Sequence, residues 1–262
     1  MRVFGQVVAA EWGKLWSVRS TWWCLLSALA LMVLSALTLG AGAATEALRR
    51  GTAAAIEGGE AAVSATVFAQ FALVALAMLA VTAEYASGSI RATLQAVPAR
   101  GVVLGAKAVV VAVVLAVAGV VSALVSAVVV HLVLSLEAFE HSGVLPPGET
   151  ALDVLRVGAY FALTGVLTLG VGLALRSAAG TLTVVFMALL GLPLMVLMTG
   201  SQVAVEVSLR MPLFAGLAFM ESTENLIGGP LPYSAGEGFG WLVLWTGLAV
   251  VAGFVVLRRR DA

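Results

Sequence analysis

The chain has 262 residues, of which 61% are hydrophobic and only 11% are charged, and its mean hydropathy is +1.09. A soluble domain is near half apolar and about a quarter charged, so this composition excludes an ordinary soluble protein and is typical of an integral membrane protein. Zero formal net charge argues against nucleic-acid binding, and the single cysteine, Cys24, excludes an intramolecular disulfide and a multi-cysteine metal site.

Residues 1–20 are predicted to form an amphipathic interface helix that lies on the membrane. Its apolar residues recur every four positions, at Phe4, Val8, Trp12 and Trp16. Tryptophan prefers the headgroup layer, and Lys14 and Arg19 suit an anionic inner leaflet. Glu11 falls near the apolar side, where it either pairs with Lys14 or forms a salt bridge to another cytoplasmic segment, for example through Arg91 or Arg100. The residues of interest on this helix are Glu11, Trp12, Lys14, Trp16 and Arg19.

Six stretches contain no Asp, Glu, Lys or Arg and are each long enough to cross a membrane: 21–44, 61–83, 108–136, 157–175, 177–200 and 238–257. A helix needs about 20 apolar residues to cross a hydrocarbon core about 30 Å thick. Strands of a membrane barrel would alternate polar and apolar residues, and residues 109–130 do not. We therefore predict an all-α polytopic membrane protein with six transmembrane helices in one domain, 1–262. The first apolar run exceeds a signal peptide's core of about 7–15 residues, so we expect it to be retained as a span.

The loop after the second span, residues 84–101, is the most informative part of the chain. Pro98 disfavours helical backbone at the residue before it, so a short helix is predicted over about 87–97. One face of this helix carries Ile90 and Leu94, and another carries Arg91 and Gln95. The residues leave two interpretations open: a solvated connector lying on lipid, or a docking helix for a cytoplasmic partner.

Two later segments depart from a simple span. Gly191 and Pro193 predict a kink in span five. The last outer segment, 206–237, contains the apolar run 211–220, which is too short to cross and suits an interfacial or re-entrant helix. Non-helical backbone at membrane depth survives only when it is buried in protein or lines water, so we expect this segment to cap a cavity or a dimer seam.

The distribution of basic residues predicts the orientation, because cytoplasmic loops are enriched in Lys and Arg. With the N-terminus in the cytoplasm, ten basic residues lie inside: Arg2, Lys14, Arg19, Arg91, Arg100, Lys107, Arg176, Arg258, Arg259 and Arg260. Four lie outside: Arg49, Arg50, Arg156 and Arg210. Both termini are therefore predicted to be cytoplasmic, in a multi-pass protein of the cytoplasmic membrane.

Small residues form faces on spans three and four. They are Ala118, Gly119, Ser122, Ala123, Ser126 and Ala127 on span three, and Gly165, Gly170 and Gly172 on span four. Such faces let helices approach closely in a membrane. They serve either packing within the chain or a seam between two chains.

Chemistry that would power transport is missing from the sequence. No G-x-x-x-x-G-K-[ST] phosphate-binding loop occurs. The spans contain no carboxylate, and His131 near the outer end of span three is either an interfacial polar group or a proton relay. We predict no catalysis, no metal site and no cofactor in this chain, so that it must draw energy from a partner.

Taken together, these features resemble the type-2 ABC exporter permease family, the six-span membrane subunits of bacterial drug and antibiotic export systems. The resemblance covers essentially the whole chain and is carried by the interface helix, the block Glu84–Leu94, then Pro98, Arg100 and Lys107, the segment Leu231–Glu237 and the basic tail Arg258–Arg260. The block after span two is its most specific part.

The resemblance implies a role for that block. In the family the loop helix is a coupling helix that rests on a separate ATP-binding cassette subunit, which binds ATP and Mg, and two permeases pair as a homodimer or heterodimer with two ATPases. The implied coupling residues are Glu84, Gly88, Ser89, Ile90, Arg91 and Leu94. Spans two and five line the family's transport path, and the corresponding candidates are Phe68, Gln70, Phe71, Met78, Phe186, Met187 and Met195.

The function expected from this resemblance is export of a hydrophobic or amphipathic substrate (a drug, antibiotic, peptide or lipid). Methionine and aromatic side chains suit a loosely held apolar ligand. Two alternatives stay open: a membrane scaffold or immunity protein that binds a partner without moving solute, and a secondary carrier, which the uncharged spans disfavour.

Overall fold

The computed structural model describes residues 2–52, 55–222 and 231–259. Within these ranges the chain is almost entirely helical, and the prediction of an all-α polytopic membrane protein is confirmed. Two short strands in the described part, β1 (Ile56–Glu57) and β2 (Gly143–Val144), pair in parallel and join two loops.

The helices follow one another closely along the chain. Their bounds are α1 Arg2–Ser17, α2 Arg19–Arg50, α3 Gly58–Ser87, α4 Ser89–Ala96, α5 Arg100–Leu134, α6 Pro147–Leu175, α7 Ala178–Phe186, α8 Leu192–Leu197, α9 Gln202–Leu209, α10 Pro212–Phe219 and α11 Ala235–Arg259. A 3-10 turn covers Glu137–Phe139, and a π-helical turn, Met187–Gly191, joins α7 to α8.

Six apolar helical segments of the described chain are long enough to span a membrane: α2, α3, α5, α6, α7 to α8 taken together, and α11. Several extend beyond the uncharged stretches. For example, α5 begins at Arg100 instead of residue 108, and α6 begins at Pro147 instead of residue 157. Helical hydrogen bonding continues through the headgroup layer, where charged side chains are tolerated, so the absence of charge marks only the central part of each helix.

The two ends of the bundle are distinct. Helices α1 and α4 lie at the end where α3 finishes and α5 begins, which we call the α1 end. The Arg100 guanidinium at the start of α5 donates to the Leu257 carbonyl of α11, and Gly101 lies against Phe254. The C-terminal end of α11 therefore lies at the α1 end, and its first residue, Ala235, lies at the opposite, far end.

The pair α9 and α10 follows a re-entrant path. The direction of the chain changes by 62° at the break between the two helices. The chain leaves α8 at the far end and enters α11 at the far end, so the pair returns to the side from which it came. Its contacts lie inside the bundle, because the Ser208 hydroxyl donates to the Pro193 carbonyl at 2.6 Å and Gly216 packs on the Tyr160 ring. The predicted re-entrant segment 206–237 thus corresponds to α9 and α10, and its residues 223–230 lie outside the described ranges.

The small-residue faces on spans three and four pack within the chain. A Cβ added at Gly119 would clash with Phe161, and one added at Gly165 would clash with Leu115. Gly170 lies against the backbone of Ala249, and Gly253 lies against the backbone of Gly170, so α6 and α11 meet backbone to backbone. Helices approach this closely only where side chains are absent or small.

Near Gly191 and Pro193, where the sequence predicts a kink, the structure has a π-helical turn, Met187–Gly191, and the kink itself stays a prediction. The Leu192 N–H bonds to the Met187 carbonyl, five residues back. Proline offers no N–H, and its ring collides with the carbonyl four residues earlier, so a wider turn accommodates it.

Labelling of introduced cysteines tests whether α9 and α10 return to the side of the membrane from which they enter. In a Cys24→Ala background, Ser201→Cys before α9 and Ser234→Cys before α11 should react with a membrane-impermeant maleimide from the same side of the membrane. Gln95→Cys in α4 should react from the other side, and all three positions are exposed. Reaction of Ser234→Cys from the side of Gln95→Cys would mean that α9 and α10 cross the membrane as a seventh span.

Candidate functional site

The interface helix α1 ends at a sharp corner. Val18 has extended backbone between α1 and α2, and the Thr21 hydroxyl donates to the Leu15 carbonyl at 2.6 Å across the corner. Val7, Glu11 and Leu15 are buried and lie four residues apart, which is one face of a helix. This face packs mainly on α5. The face of α1 that contacts the rest of the protein is therefore centred on Glu11. Phe4 and Trp12, which belong to the predicted apolar stripe, are exposed.

The short helix α4 is joined to α3 through Gly88 alone. Gly88 has a φ of 74° and caps both helices, a left-handed conformation that costs other residues about 1–2 kcal/mol. The hydroxyls of Ser87 and Ser89 lie 2.9 Å apart across this junction. At the other end Val97 leaves the helical region before Pro98, as predicted.

The two faces of α4 differ as the spacing predicted. Ile90 is 3% exposed and Leu94 is half-buried against the core, whereas Arg91 and Gln95 are exposed. Of the six predicted coupling residues, Gly88, Ser89 and Arg91 lie at the surface. Ile90 and Leu94 fasten α4 to the bundle, and Glu84 lies in the ion-pair network described next.

Lys107 of α5 lies at the centre of a buried ionic cluster formed by Glu11, Lys14, Glu84 and Lys107. Its ammonium donates to Glu11 Oε2 at 2.5 Å, to Glu84 Oε1 at 2.8 Å and to the Ala80 carbonyl at 3.4 Å. The side chains of Lys107, Glu11 and Glu84 are 2%, 6% and 13% exposed. Three segments distant in sequence (α1, α3 and α5) therefore meet in one set of ion pairs.

Lys14 connects the same cluster to α4. Its ammonium donates to Glu11 Oε1 at 2.7 Å, to Glu84 Oε1 at 3.0 Å and to the Thr93 hydroxyl of α4 at 3.1 Å. The pairing of Glu11 with Lys14 was one of the two alternatives left open by the sequence. The structure shows this pairing together with a bridge to another segment, which is made to Lys107.

The charged groups of the ionic cluster hydrogen-bond to one another. An ammonium group has three donors, and both lysines use all three on the acceptors above. Two carboxylates balance two ammonium groups, so the cluster carries no net charge. Glu84 Oε2 is buried and accepts no hydrogen bond within the described chain.

The ion pairs shift the pKa values of the two α1 groups in opposite directions. Burial alone would raise the pKa of the Glu11 carboxyl, but Lys107 and Lys14 outweigh it and hold this pKa below its ordinary value of 4.5. Burial alone would lower the pKa of the Lys14 ammonium, but hydrogen bonds to Glu11 and Glu84 hold it above its ordinary 10.5. Both groups are therefore charged at neutral pH.

A second set of contacts holds the same end of α3. The Arg176 guanidinium, at the turn between α6 and α7, lies over the Tyr85 ring at 5.1 Å, in cation–π geometry. It also donates to the Val256 carbonyl of α11 at 3.5 Å. The residues next to α4 are thus held from both sides, by the ionic cluster and by Arg176.

The predicted path residues occupy two environments. Gln70 is fully buried and accepts a hydrogen bond from the Tyr160 hydroxyl of α6 at 2.5 Å, and Met78 is 7% exposed. The others lie on or near the outer surface of α3 and of span five. The Phe71 ring packs against the Phe186 ring in a tilted arrangement, at 5.1 Å between ring centres. The exposed members are Phe68, Phe186, Met187 and Met195.

Sequence reasoning did not assign Lys107 and Thr93 to the site. The signal for Lys107 was its position directly before the uncharged stretch 108–136, since a lysine at membrane depth needs carboxylate partners. Thr93 carried no comparable signal. In the part of the chain that is described, no group of three or more His, Cys, Asp and Glu side chains is placed to hold a metal.

Comparisons with known proteins add no family to this picture. No protein-family model matches the chain, and no curated protein matches it. The resemblance to a family therefore rests on the residues alone.

Two residues of the basic tail, Arg258 and Arg259, end α11, and Arg260 lies outside the described residues.

Removing Lys107 should destabilise the protein strongly. In Lys107→Met, Glu11 and Glu84 stay buried without their main partner, and breaking a buried pair costs about 3–5 kcal/mol. Lys14→Met, which removes a lysine with a 45% exposed side chain, should cost clearly less because water replaces it. Unfolding in mixed micelles measures both, and the double variant Glu11→Gln, Lys107→Met should recover part of the loss. Equal losses of unfolding free energy in Lys107→Met and Lys14→Met would contradict the difference in burial between the two lysines.

Acid should weaken the contribution of Glu11. A carboxyl with a lowered folded-state pKa contributes its full stability above the ordinary pKa of 4.5, and loses it as the pH falls through the lower folded value. The difference in unfolding temperature between the wild type and Glu11→Gln should therefore be constant near neutral pH and shrink below pH 4.5. Glu46→Gln, which disrupts an exposed pair with Arg50, is the control and should change stability little at any pH. If the difference in unfolding temperature grows on acidification, the folded-state pKa of Glu11 is raised and not lowered.

Proposed function

We propose that this chain is the membrane-spanning permease subunit of an ATP-driven exporter, similar to the type-2 ABC exporter permeases. In this proposal α4 is the coupling helix and docks on a separate ATP-binding cassette subunit, which binds ATP and Mg and hydrolyses ATP. The α1 end faces the cytoplasm, and the protein resides in the cytoplasmic membrane with both termini inside.

The observation that supports this proposal best is the double attachment of α4. Its outward surface, with Arg91 and Gln95, is exposed, while Ile90 and Leu94 on the inward side pack on the bundle. Thr93 is tied through Lys14 to the ionic cluster. A helix merely resting on lipid needs no such link to three other segments, whereas a helix that receives force from a partner does.

The ionic cluster provides the route by which a displacement of α4 reaches the spans. Lys14 connects α4 to Glu84 at the end of α3, and Glu84 connects in turn to Lys107 in α5. The bonds of Lys107 to Glu11 at 2.5 Å and to Glu84 at 2.8 Å are short and charge-assisted, so α1, α3 and α5 are held firmly together. The bond of Lys14 to Thr93, at 3.1 Å, is exposed and adds the link to α4.

The transport path in this proposal lies between two permease chains. The exposed aromatic and methionine residues on α3 and span five, Phe68, Phe186, Met187 and Met195, form an apolar surface on the outside of one chain. A second permease facing this surface would enclose a wall suited to a hydrophobic or amphipathic substrate. Gln70 and Met78 are buried within one chain and support that wall from behind.

Charge reversal on α4 tests the coupling. The protein should co-purify with a P-loop ATPase and stimulate its ATP turnover in liposomes. Arg91→Glu should weaken this by about tenfold or more, because a like-charge contact at an interface costs several kcal/mol. Gly88→Pro should do the same, because a φ of 74° is closed to proline.

Arg2→Glu, an exposed charge reversal on α1, is the matched control and should leave stimulation intact. Undiminished stimulation in both α4 variants would refute the docking assignment. Bound ATPase without ATP-dependent movement of a hydrophobic substrate would favour a scaffold. Uptake driven by a proton gradient without ATP would favour a secondary carrier.

A further inference from the structure

A partly open cavity of about 520 Å³ lies at the α1 end and is lined by residues of α1, α2, α3, α4 and α5. Its inner wall is apolar and includes Leu76, Leu79, Val110 and Val111. Its outer part is lined by the hydroxyls of Ser17, Ser20, Ser89 and Thr93. Ligand pockets of about 300–1,000 Å³ with mostly apolar walls and a few polar groups hold molecules of drug size. The cavity therefore has the size and the polarity gradient of a site for one amphiphile.

The charge of the lining defines the head of that amphiphile. All four residues of the ionic cluster line the cavity, but both ammonium groups already use their three donors. An anionic head would have to take a lysine from its carboxylates, and leaving a buried charge unpaired is costly. The hydroxyls of Ser17 and Thr93 donate to backbone carbonyls, and that of Ser89 lies 2.9 Å from that of Ser87. A hydroxyl oxygen can accept two hydrogen bonds, so these groups can still accept from an uncharged, hydroxyl-bearing head.

The surroundings of the cavity indicate that its ligand comes from the membrane. Trp16 packs on both Trp12 and Trp22, at 5.8 Å and 5.0 Å between ring centres, at the corner between α1 and α2. Trp12 and Trp22 are 42% and 56% exposed. Exposed tryptophans of this kind sit in the headgroup layer. The cavity thus lies at the depth where a lipid head meets its hydrocarbon chain.

We propose that this cavity binds one uncharged amphiphile from the adjoining leaflet. The hydroxyl-bearing head lies beside Ser89 and Thr93 of α4, and the hydrocarbon chain extends toward Leu76 and Val110. This site does not depend on the proposed function, because all its walls are contacts within the chain. Its occupant touches α1, α3, α4 and α5, the same four helices that the ionic cluster joins.

Cys24 provides the measurement, because it lines the cavity and is the chain's single cysteine. The full-length protein in phosphatidylcholine nanodiscs is labelled with N-ethylmaleimide at increasing concentrations of monooleoylglycerol, which has an uncharged hydroxyl head. Labelling should slow by about tenfold when the probe reaches about ten times its Kd, since only the unoccupied fraction reacts. Oleate, with the same chain and an anionic head, should protect far less.

A filled-cavity variant separates binding in the cavity from a general effect on the bilayer. Ala83→Phe places a ring in the cavity wall and should abolish protection, whereas Ala86→Phe, exposed on the same helix outside the lining, should retain it. A photoactivatable monoacylglycerol gives a second readout, with crosslinks expected within residues 76–83 and 110–111 of the wild type and of Ala86→Phe only. Absence of both protection and crosslinks, or their persistence in Ala83→Phe, overturns the site. Equal protection by oleate would refute the claim that the cavity prefers an uncharged head group.

Discussion

The placement of α4 depends on one physical constraint, the need to neutralise buried charge at the edge of a membrane bundle. Lys107 is almost completely buried, and an isolated ammonium there would be expensive. Its partners come from α1 and α3, so the ends of α1, α3 and α5 must lie at one level. Lys14 then extends the same network to Thr93. The position of α4 is a consequence of this neutralisation as much as of its own sequence.

The two faces of α4 differ in exposure. The inward residues Ile90 and Leu94 anchor the helix on the bundle, whereas Arg91 and Gln95 on the other face are exposed. An added Cβ at Gly88 would meet nothing within 4 Å, so glycine is favoured there by its φ of 74° and not by lack of space.

Local features of this fold could be predicted from the sequence, and features that depend on distant residues could not. The six spans follow from uncharged stretches, and the faces of α4 follow from the spacing of Ile90 and Leu94. Both patterns lie within one continuous stretch of chain. By contrast, Lys107 lies 96 residues from Glu11, and Tyr160 lies 90 residues from Gln70. No local pattern indicates that such residues meet, so the place of Lys107 in the ionic cluster and the bond between Tyr160 and Gln70 could not be predicted from the sequence.

The close approach of α6 and α11 has a mechanical consequence. At Gly170 and Gly253 the backbones of α6 and α11 are in direct contact. No side chains lie between them there that could rearrange to let the helices slide or rotate. Packed interiors deform little. The two helices therefore form one stiff pair. This contact holds α11 to the bundle although its membrane segment is only 22% buried, as little as those of α2 and of α7 to α8.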